Sequence, residues 1–293
     1  MDLKKISILI PCFNEEQTVG NTLSFLRLKL GPDPEIIVVN DGSSDRTKEI
    51  LSGLKDVIVI NSKINRGYGA SLKKAINAST REVVVWFDAD GQHHPDDLVA
   101  LATPVVSGDL DANIGARNSK DAFVLKRAPG KFLLRSVSQI VARRSIPDLN
   151  CGFRCFKTKL IKKYLTLLPD GFSASSTSTL LMIRRGYRVD FHPVKSSLRG
   201  GGKSRVSIVK DGLRTLRLIG NILLLFDSFL VFTAFSFLML STGLVYSFYI
   251  AYTLRLGIPV LGATAILIGV LTFFMGLISS QISELRKELL ESM

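Results

Sequence analysis

Two carboxylates one residue apart, Asp88 and Asp90, follow the apolar run Val83 to Phe87. On extended backbone, residues i and i+2 share a face, so both side chains can aim at one point. Two such charges repel each other unless a cation lies between them. Hard oxygen donors of this kind suit Mg2+ or Mn2+, with substrate phosphates completing the shell. A polar turn after a strand is the plainer reading of the same residues, because aspartate is common in turns. Ligands of open α/β sheets gather at the carboxyl ends of strands, so the elements around the pair decide between the two.

Those elements alternate in type. Ile6 to Ile10, Glu35 to Val39, Val57 to Ile60 and Val83 to Phe87 read as short buried strands. Glu15 to Leu30, Ser44 to Leu54 and Gly69 to Ala78 carry helical spacing. Strands alternating with helices predict a mainly parallel sheet covered on both faces. The polar motifs then fall where strands end: Asn14-Glu15, Asp41-Gly42-Ser43-Ser44-Asp45 and Asp88-Ala89-Asp90. A plainer reading has Asp41 merely cap the following helix, and Asp45 reads as structural near a helix start. His93 and His94 read as packing or capping residues before Pro95, His192 as structural, and Trp86 as strand core.

The chain has 293 residues, a net charge of +13 and 46% hydrophobic residues. The apolar excess is concentrated: Ser228 to Ile250 and Leu256 to Ser283 contain no charged residue. Each run exceeds the roughly 20 residues that cross a bilayer core, so two spans are expected. After Asp227 the basic residues Arg255, Arg286 and Lys287 balance Glu284, Glu288 and Glu291, leaving the whole net charge on the preceding part. The start lacks the apolar core of a cleavable signal. The basic part and both termini are therefore expected on the cytoplasmic side, in line with the positive-inside rule. A basic domain beside a bilayer suits anionic lipid or phosphate-bearing substrates. Nucleic acid is disfavoured by the two expected spans. Within the basic stretch Arg117 to Lys163, Ala128 to Arg144 has amphipathic spacing, with Phe132, Leu133, Val137, Ile140 and Val141 toward one side, as in helices that lie at a membrane interface. Cys12, Cys151 and Cys155 form no disulfide framework and no zinc spacing.

Taken in order, Pro11-Cys12-Phe13-Asn14-Glu15-Glu16, Val39-Asn40-Asp41-Gly42-Ser43-Ser44-Asp45, Asn65-Arg66-Gly67-Tyr68-Gly69 and Asp88-Ala89-Asp90-Gly91-Gln92 closely resemble the family-2 glycosyltransferases. The later segments Gly115-Ala116-Arg117, Asp148 to Arg154 and Arg199 to Arg205, with the C-terminal pair of spans, resemble the polyprenyl- or dolichyl-phosphate sugar synthases, of which dolichyl-phosphate mannose synthase is the best known. The resemblance implies the GT-A nucleotide-diphospho-sugar transferase fold, a Rossmann-like mainly parallel sheet, plus a two-helix transmembrane hairpin. It implies a catalytic domain over residues 1–205, a juxtamembrane segment over 206–227, two spans over 228–283 and a cytoplasmic tail over 284–293.

By position, the resemblance places Pro11, Phe13 and Glu15 around the nucleoside, and Val39 and Asp41 at base and ribose. Asp88, Ala89 and Asp90 lie at the diphosphate, with Gln92 helping Asp88 and Asp90 hold Mg2+ or Mn2+. Arg117, Arg199 and Arg205 bind phosphates, and Arg127 and Lys131 meet the lipid phosphate. Asp148 and Arg154 either hold the acceptor loop or touch substrate. The expected donor is a GDP- or UDP-hexose (mannose or glucose), and the expected acceptor is polyprenyl or dolichyl phosphate. Asp88, Asp90 and Arg117 carry the catalysis, and self-association is expected because two spans are few for holding a lipid.

The sequence departs from the family pattern in three places. Phe13 stands for the usual Tyr, Arg205 for the usual Lys, and Ala174 to Thr179 contains no acidic residue where many relatives carry one. The last departure fits an acceptor that is already an anion and needs no general base. A transferase with a hydroxyl acceptor, and a non-catalytic sugar-nucleotide-binding membrane scaffold, are the rival readings.

Overall fold

The computed structural model describes residues 1–117, 136–195, 220, 228–255 and 257–292. Contacts divide the chain into two compact units, Met1–Gly212 and Leu213–Met293.

In the first unit, β1 (Ile6–Cys12), β2 (Glu35–Asn40), β3 (Ile58–Asn61) and β4 (Val83–Trp86) pair in parallel. Three helices connect them: α1 (Val19–Leu30), α2 (Thr47–Ser52) and α3 (Tyr68–Ala78). After α4 (Pro95–Val106) come β5 (Ala112–Arg117), a helical segment α5 over residues 136–142, and β6 (Arg154–Lys157). The unit continues with α6 (Thr158–Lys163), α7 (Ser173–Arg184) and β7 (Val189–Val194). The seven-stranded sheet has the order β3-β2-β1-β4-β6-β5-β7. Only β6 runs against its neighbours β4 and β5; β5 and β7 are parallel.

Alternation along β1 explains the two-sided core. Ile6, Ile8 and Ile10 join Leu23 and Leu26 of α1 and Leu98 and Leu101 of α4 on one face. α3 covers β1 and β2 with Leu72, Ala75 and Ile76, all fully buried. Trp86 is strand core, tilted against Phe156 of β6 at 5.1 Å.

Some boundaries differ from the sequence expectation. β1 runs on through Pro11 and Cys12, because parallel pairing with β2 extends to Cys12 opposite Asn40. α1 starts at Val19 rather than Glu15: Asn14 has φ of 55° and residues 16–18 form a turn. α2 is confined to Thr47–Ser52, since residues 41–46 are engaged in contacts with the β1 loop. Of the expected helix over 128–144, residues 136–142 are helical, and Arg143 at φ 53° ends it. There Val141 is buried while Ile140 is exposed, so these two do not share one side.

The second unit contains α8 (Ser228–Leu254) and α9 (Val260–Ser292), with Gly257, Ile258 and Pro259 just before α9. The helices pack closely because glycines recur at the interface. A Cβ on Gly262 would lie 2.1 Å from Ser247 Oγ, one on Gly269 2.7 Å from Leu240 Cγ, and one on Gly276 2.8 Å from Phe232 Cβ. The Ser236 hydroxyl donates to the Gly269 carbonyl at 2.7 Å. Both helices expose large apolar side chains elsewhere, including Phe237, Phe248, Leu261 and Ile278. Both helices are long and apolar enough to cross a membrane. α9 continues past Ser283 into the charged tail, so that tail is helical through Ser292.

Candidate active site

The loops at the carboxyl ends of β1, β2 and β3 are fastened to one another by side chains bonding to backbone. Ser44 N–H donates to Asn14 Oδ1 at 2.9 Å and Asn14 N–H to Ser43 Oγ at 3.0 Å. Glu15 N–H donates to Thr47 Oγ1 at 2.9 Å. Asp45 accepts from Thr47 N–H and Glu16 N–H, which gives it the structural role expected of it. Gly42, at φ 72°, lies so close to residues 64 and 65 that a Cβ would sit 2.8 Å from the Ile64 carbonyl carbon.

The sequence-derived nucleoside residues divide in this frame. Phe13 is exposed and Pro11 half-buried, and Glu15 accepts from the Thr18 hydroxyl at 2.9 Å. The Val39 side chain is fully buried in the sheet, leaving only its main chain for any contact. Asp41 is also buried, and its carboxylate accepts from Gly67 N–H at 2.7 Å and from Arg66 N–H at 3.1 Å. It thereby holds the start of α3 rather than capping α2.

That start of α3 carries Tyr68. Its hydroxyl donates to Asp88 Oδ1 at 3.0 Å, and its ring stacks on Phe172 with centroids 5.4 Å apart. On the other oxygen, His93 Nε2 lies 3.4 Å from Asp88 Oδ2. His93 is itself buried between Phe87 and Phe153, at ring distances of 5.9 and 4.9 Å. The third contact is main chain. A Cβ on Gly152 would lie 2.2 Å from Asp88 Oδ2, so only glycine lets this loop close on the carboxylate. Burial pushes the Asp88 carboxyl up, but His93, the Tyr68 hydroxyl and the charge of Arg117 outweigh it and hold the group below its ordinary range. Burial and Asp88 together raise the Tyr68 phenol well above its ordinary value.

Asp90 is half-buried in the following turn, where its Oδ1 accepts from Gln92 N–H at 3.1 Å. Ala89 between them is buried, its carbonyl accepting from the Thr22 hydroxyl at 3.2 Å. Gly91 takes φ 72° to turn the chain. Among the described residues, no lysine or arginine forms an ion pair with Asp88, and no three His, Cys, Asp or Glu side chains cluster as a metal site.

Arg117, at the end of β5, is held by Asp148: Nε donates to Oδ2 at 2.7 Å and Nη2 to Oδ1 at 3.2 Å. Burial disfavours both charges, yet their mutual hydrogen bonds prevail, raising the Arg117 pKa and lowering that of Asp148.

Arg154 plays a part that the sequence left undecided. It is completely buried, and among the described residues no carboxylate forms an ion pair with it. Its guanidinium donates to the carbonyls of Cys151 at 2.6 Å and Leu149 at 2.7 Å, to the Ser175 carbonyl, and to the hydroxyls of Ser178 and Thr179. Burial brings its pKa down to about 10, so it stays charged at neutral pH. One side chain thus ties the 148–152 loop to α7 and keeps Gly152 against Asp88. The serine- and threonine-rich opening of α7, buried from Ala174 to Thr179, faces this buried cation. Neither Arg154's burial nor the Arg117–Asp148 pairing leaves a local sequence signal; the nearest hint was hydroxyls where an acid is usual.

Arg127, Lys131, Arg199 and Arg205, with Gly200 to Gly202, lie outside the described residues. A depression of about 620 Å³ at the opposite end of the strands, lined by Arg81, Lys157 and Lys162 among others, contains none of the sheet-end motifs.

Comparison with known proteins agrees with this geometry. The sequence model described as Glycosyl transferase family 2 matches residues 7–166. A protein of Methanocaldococcus jannaschii, Uncharacterized protein MJ1222, is 33% identical over 221 residues, which span 72% of this chain and 89% of that one. The UDP-N-acetylglucosamine--dolichyl-phosphate N-acetylglucosaminyltransferase of Methanococcus voltae is 29% identical over 183 residues, 54% of this chain and 72% of that one. The crystal structure of glucosyl-3-phosphoglycerate synthase from Mycobacterium tuberculosis in complex with Mn2+, UDP and phosphoglyceric acid superposes with a TM-score of 0.56 at 20% identity, covering 75% of this chain and 77% of that one. The fold is GT-A.

Proposed function

The chain belongs to glycosyl transferase family 2, and on that premise we propose that it is a membrane-anchored inverting transferase moving a hexose from a GDP- or UDP-sugar to polyprenyl or dolichyl phosphate. The observation that carries this reading is the state of Asp88. Tyr68, His93 and Gly152 fix the carboxylate at the carboxyl end of β4, and no described lysine or arginine pairs with it. A negative charge held this way suits a cationic ligand.

Asp88, Asp90 and the Gln92 side-chain oxygen are hard oxygen donors, half-buried, and fit Mg2+ or Mn2+. Such an ion, when bound, offsets the charge of the departing nucleotide diphosphate. Phe13, exposed beside the β2 loop, offers its ring to the nucleoside, with Pro11 and Glu15 around it. Two nitrogens of Arg117 are taken by Asp148, which orients the guanidinium and presents Nη1 to a phosphate oxygen. Arg127, Lys131, Arg199 and Arg205 supply the further cations that two anionic substrates require to approach each other.

An oxygen of the acceptor phosphate forms the bond to the anomeric carbon, and the bond from that carbon to the diphosphate breaks, its electron pair leaving with the nucleotide diphosphate. One in-line displacement inverts the centre. The attacking oxygen is already anionic, so no side chain needs to take its proton. The composition of α7 supports this, since Ser173 to Arg184 contains no acidic residue. A hydroxyl acceptor would need a base (the adjacent Asp170 is the nearest in sequence), but Asp170 is paired with Lys73 at 2.6 Å.

α8, at 27 residues, is about 40 Å long by the helical rise, enough to cross the hydrocarbon core. We place the catalytic domain and both termini on the cytoplasmic face. Incubating the full chain in liposomes with labelled nucleotide sugars, polyprenyl phosphate and Mg2+ or Mn2+ tests the reading. A lipid-linked, phosphate-bonded sugar is expected, and its absence with every donor refutes the acceptor assignment.

A further inference from the structure

Phe172 has no role in the chemistry above, yet it is 74% exposed. Among the described residues of Met1–Gly212, Phe13 and Phe172 are the exposed aromatic side chains. Both flank the candidate active site: Phe13 follows β1, and Phe172 stacks on the Tyr68 ring whose hydroxyl holds Asp88. Resting on the lipid-phosphate acceptor reading, we propose that Phe172 is an acceptor-contact residue whose ring receives the hydrocarbon adjoining the acceptor's phosphate.

The ring is held in place. Ala70 N–H donates to the Asp170 carbonyl at 3.0 Å, and Lys73 pairs with the Asp170 carboxylate at 2.6 Å. Gly69 meets the same loop so closely that a Cβ would lie 2.1 Å from the Pro169 carbonyl oxygen. The stack on Tyr68, 18° from parallel, fixes the ring's tilt. An apolar surface anchored this firmly next to a carboxylate site loses little freedom when a ligand covers it.

The chemistry selects the occupant. A phenyl ring makes no hydrogen bond, and the hydroxyls of Ser178 and Thr179 are buried against Arg154 and the helix's own carbonyls. The exposed face of Phe172 itself offers carbon to a ligand. An isoprenoid is an apolar chain joined directly to the reacting phosphate, so carbon must lie close to Asp88 whenever the phosphate is in place.

The test uses the full chain in defined detergent, comparing wild type with Phe172→Ala and Phe172→Leu. The alanine variant is expected to raise the KM for polyprenyl phosphate about 10-fold, the usual order for one lost apolar contact, and leucine to restore most of it. Calorimetric affinity for the nucleotide sugar should be unchanged in both. An unchanged acceptor KM in the alanine variant overturns the proposal. So does weakened nucleotide-sugar binding with the acceptor KM intact, which would assign the ring to the sugar. So does a fall in kcat that leucine fails to rescue, which would make the ring only a prop for Tyr68. A wild type that forms no lipid-linked sugar refutes the acceptor reading itself, and is distinguished by that from each of these results.

Discussion

At one end of the strands, Asp111 receives Lys157 Nζ at 2.7 Å and Arg188 Nη2 at 3.3 Å; at the other end, Asp88 receives a phenol and an imidazole. Burial raises both carboxyls, and in both cases the partners outweigh it. The partners differ in kind. Asp111 is neutralised by two cations that tie the ends of β5, β6 and β7 together, and its charge is used up within the fold. Asp88 is positioned by the Tyr68 phenol, the His93 imidazole and Gly152, with no described lysine or arginine paired to it. A salt bridge braces structure, whereas a carboxylate with no paired lysine or arginine remains able to bind a cation.

The largest effect expected from breaking this contrast is at Gly152. Gly152→Ala drives a methyl into Asp88 Oδ2, so sugar transfer should fall by at least about 100-fold, the order of a 1 Å misplacement, with circular dichroism unchanged. Wild-type turnover would show that the loop contact is incidental. Next comes Arg154→Met, which strips five hydrogen bonds from the 148–152 loop and α7. A loss of about 2–4 kcal/mol, the order for leaving buried carbonyls unsatisfied, should be read in denaturant melts; an unaltered midpoint would deny Arg154 its structural role.

A smaller effect belongs to Asp111. Its pKa is held near about 2 against an ordinary 3.8, chiefly by Arg188 and Lys157 against burial. A depressed carboxyl stabilises the fold above its unfolded pKa, and that contribution is lost as pH falls through the folded value. The window is therefore about pH 4 down to 2. Asp111→Asn should cost about 1–2 kcal/mol at neutral pH, after allowance for screening at the half-exposed Arg188. It should also flatten the acid limb of stability, without altering transfer kinetics. An activity loss larger than the stability loss would erase the distinction between the two ends.

Much of the Asp88 end was legible in the sequence because apolar runs of four to six residues ended in polar motifs, and the parallel pairing of β1, β2 and β4 follows from that alternation. β6 was not legible. It is four residues long and antiparallel, and nothing local marks the burial of its first residue, Arg154, beneath the hydroxyls of α7. Asp148 and Arg117 lie 31 residues apart, so their pairing is a product of tertiary structure. Asp41 sits in a motif at a strand end, and that its carboxylate also braces the backbone of residues 66 and 67 was not legible from spacing.

The most direct measurement is Mn2+ binding followed by electron paramagnetic resonance on the full chain, with nucleotide diphosphate present, for wild type and Asp88→Asn. The variant keeps the size of the side chain and removes its charge. Bound Mn2+ in wild type, lost in the variant while the melting temperature holds, is the predicted result. Equal Mn2+ binding in both proteins would contradict the assignment of Asp88 to a cation.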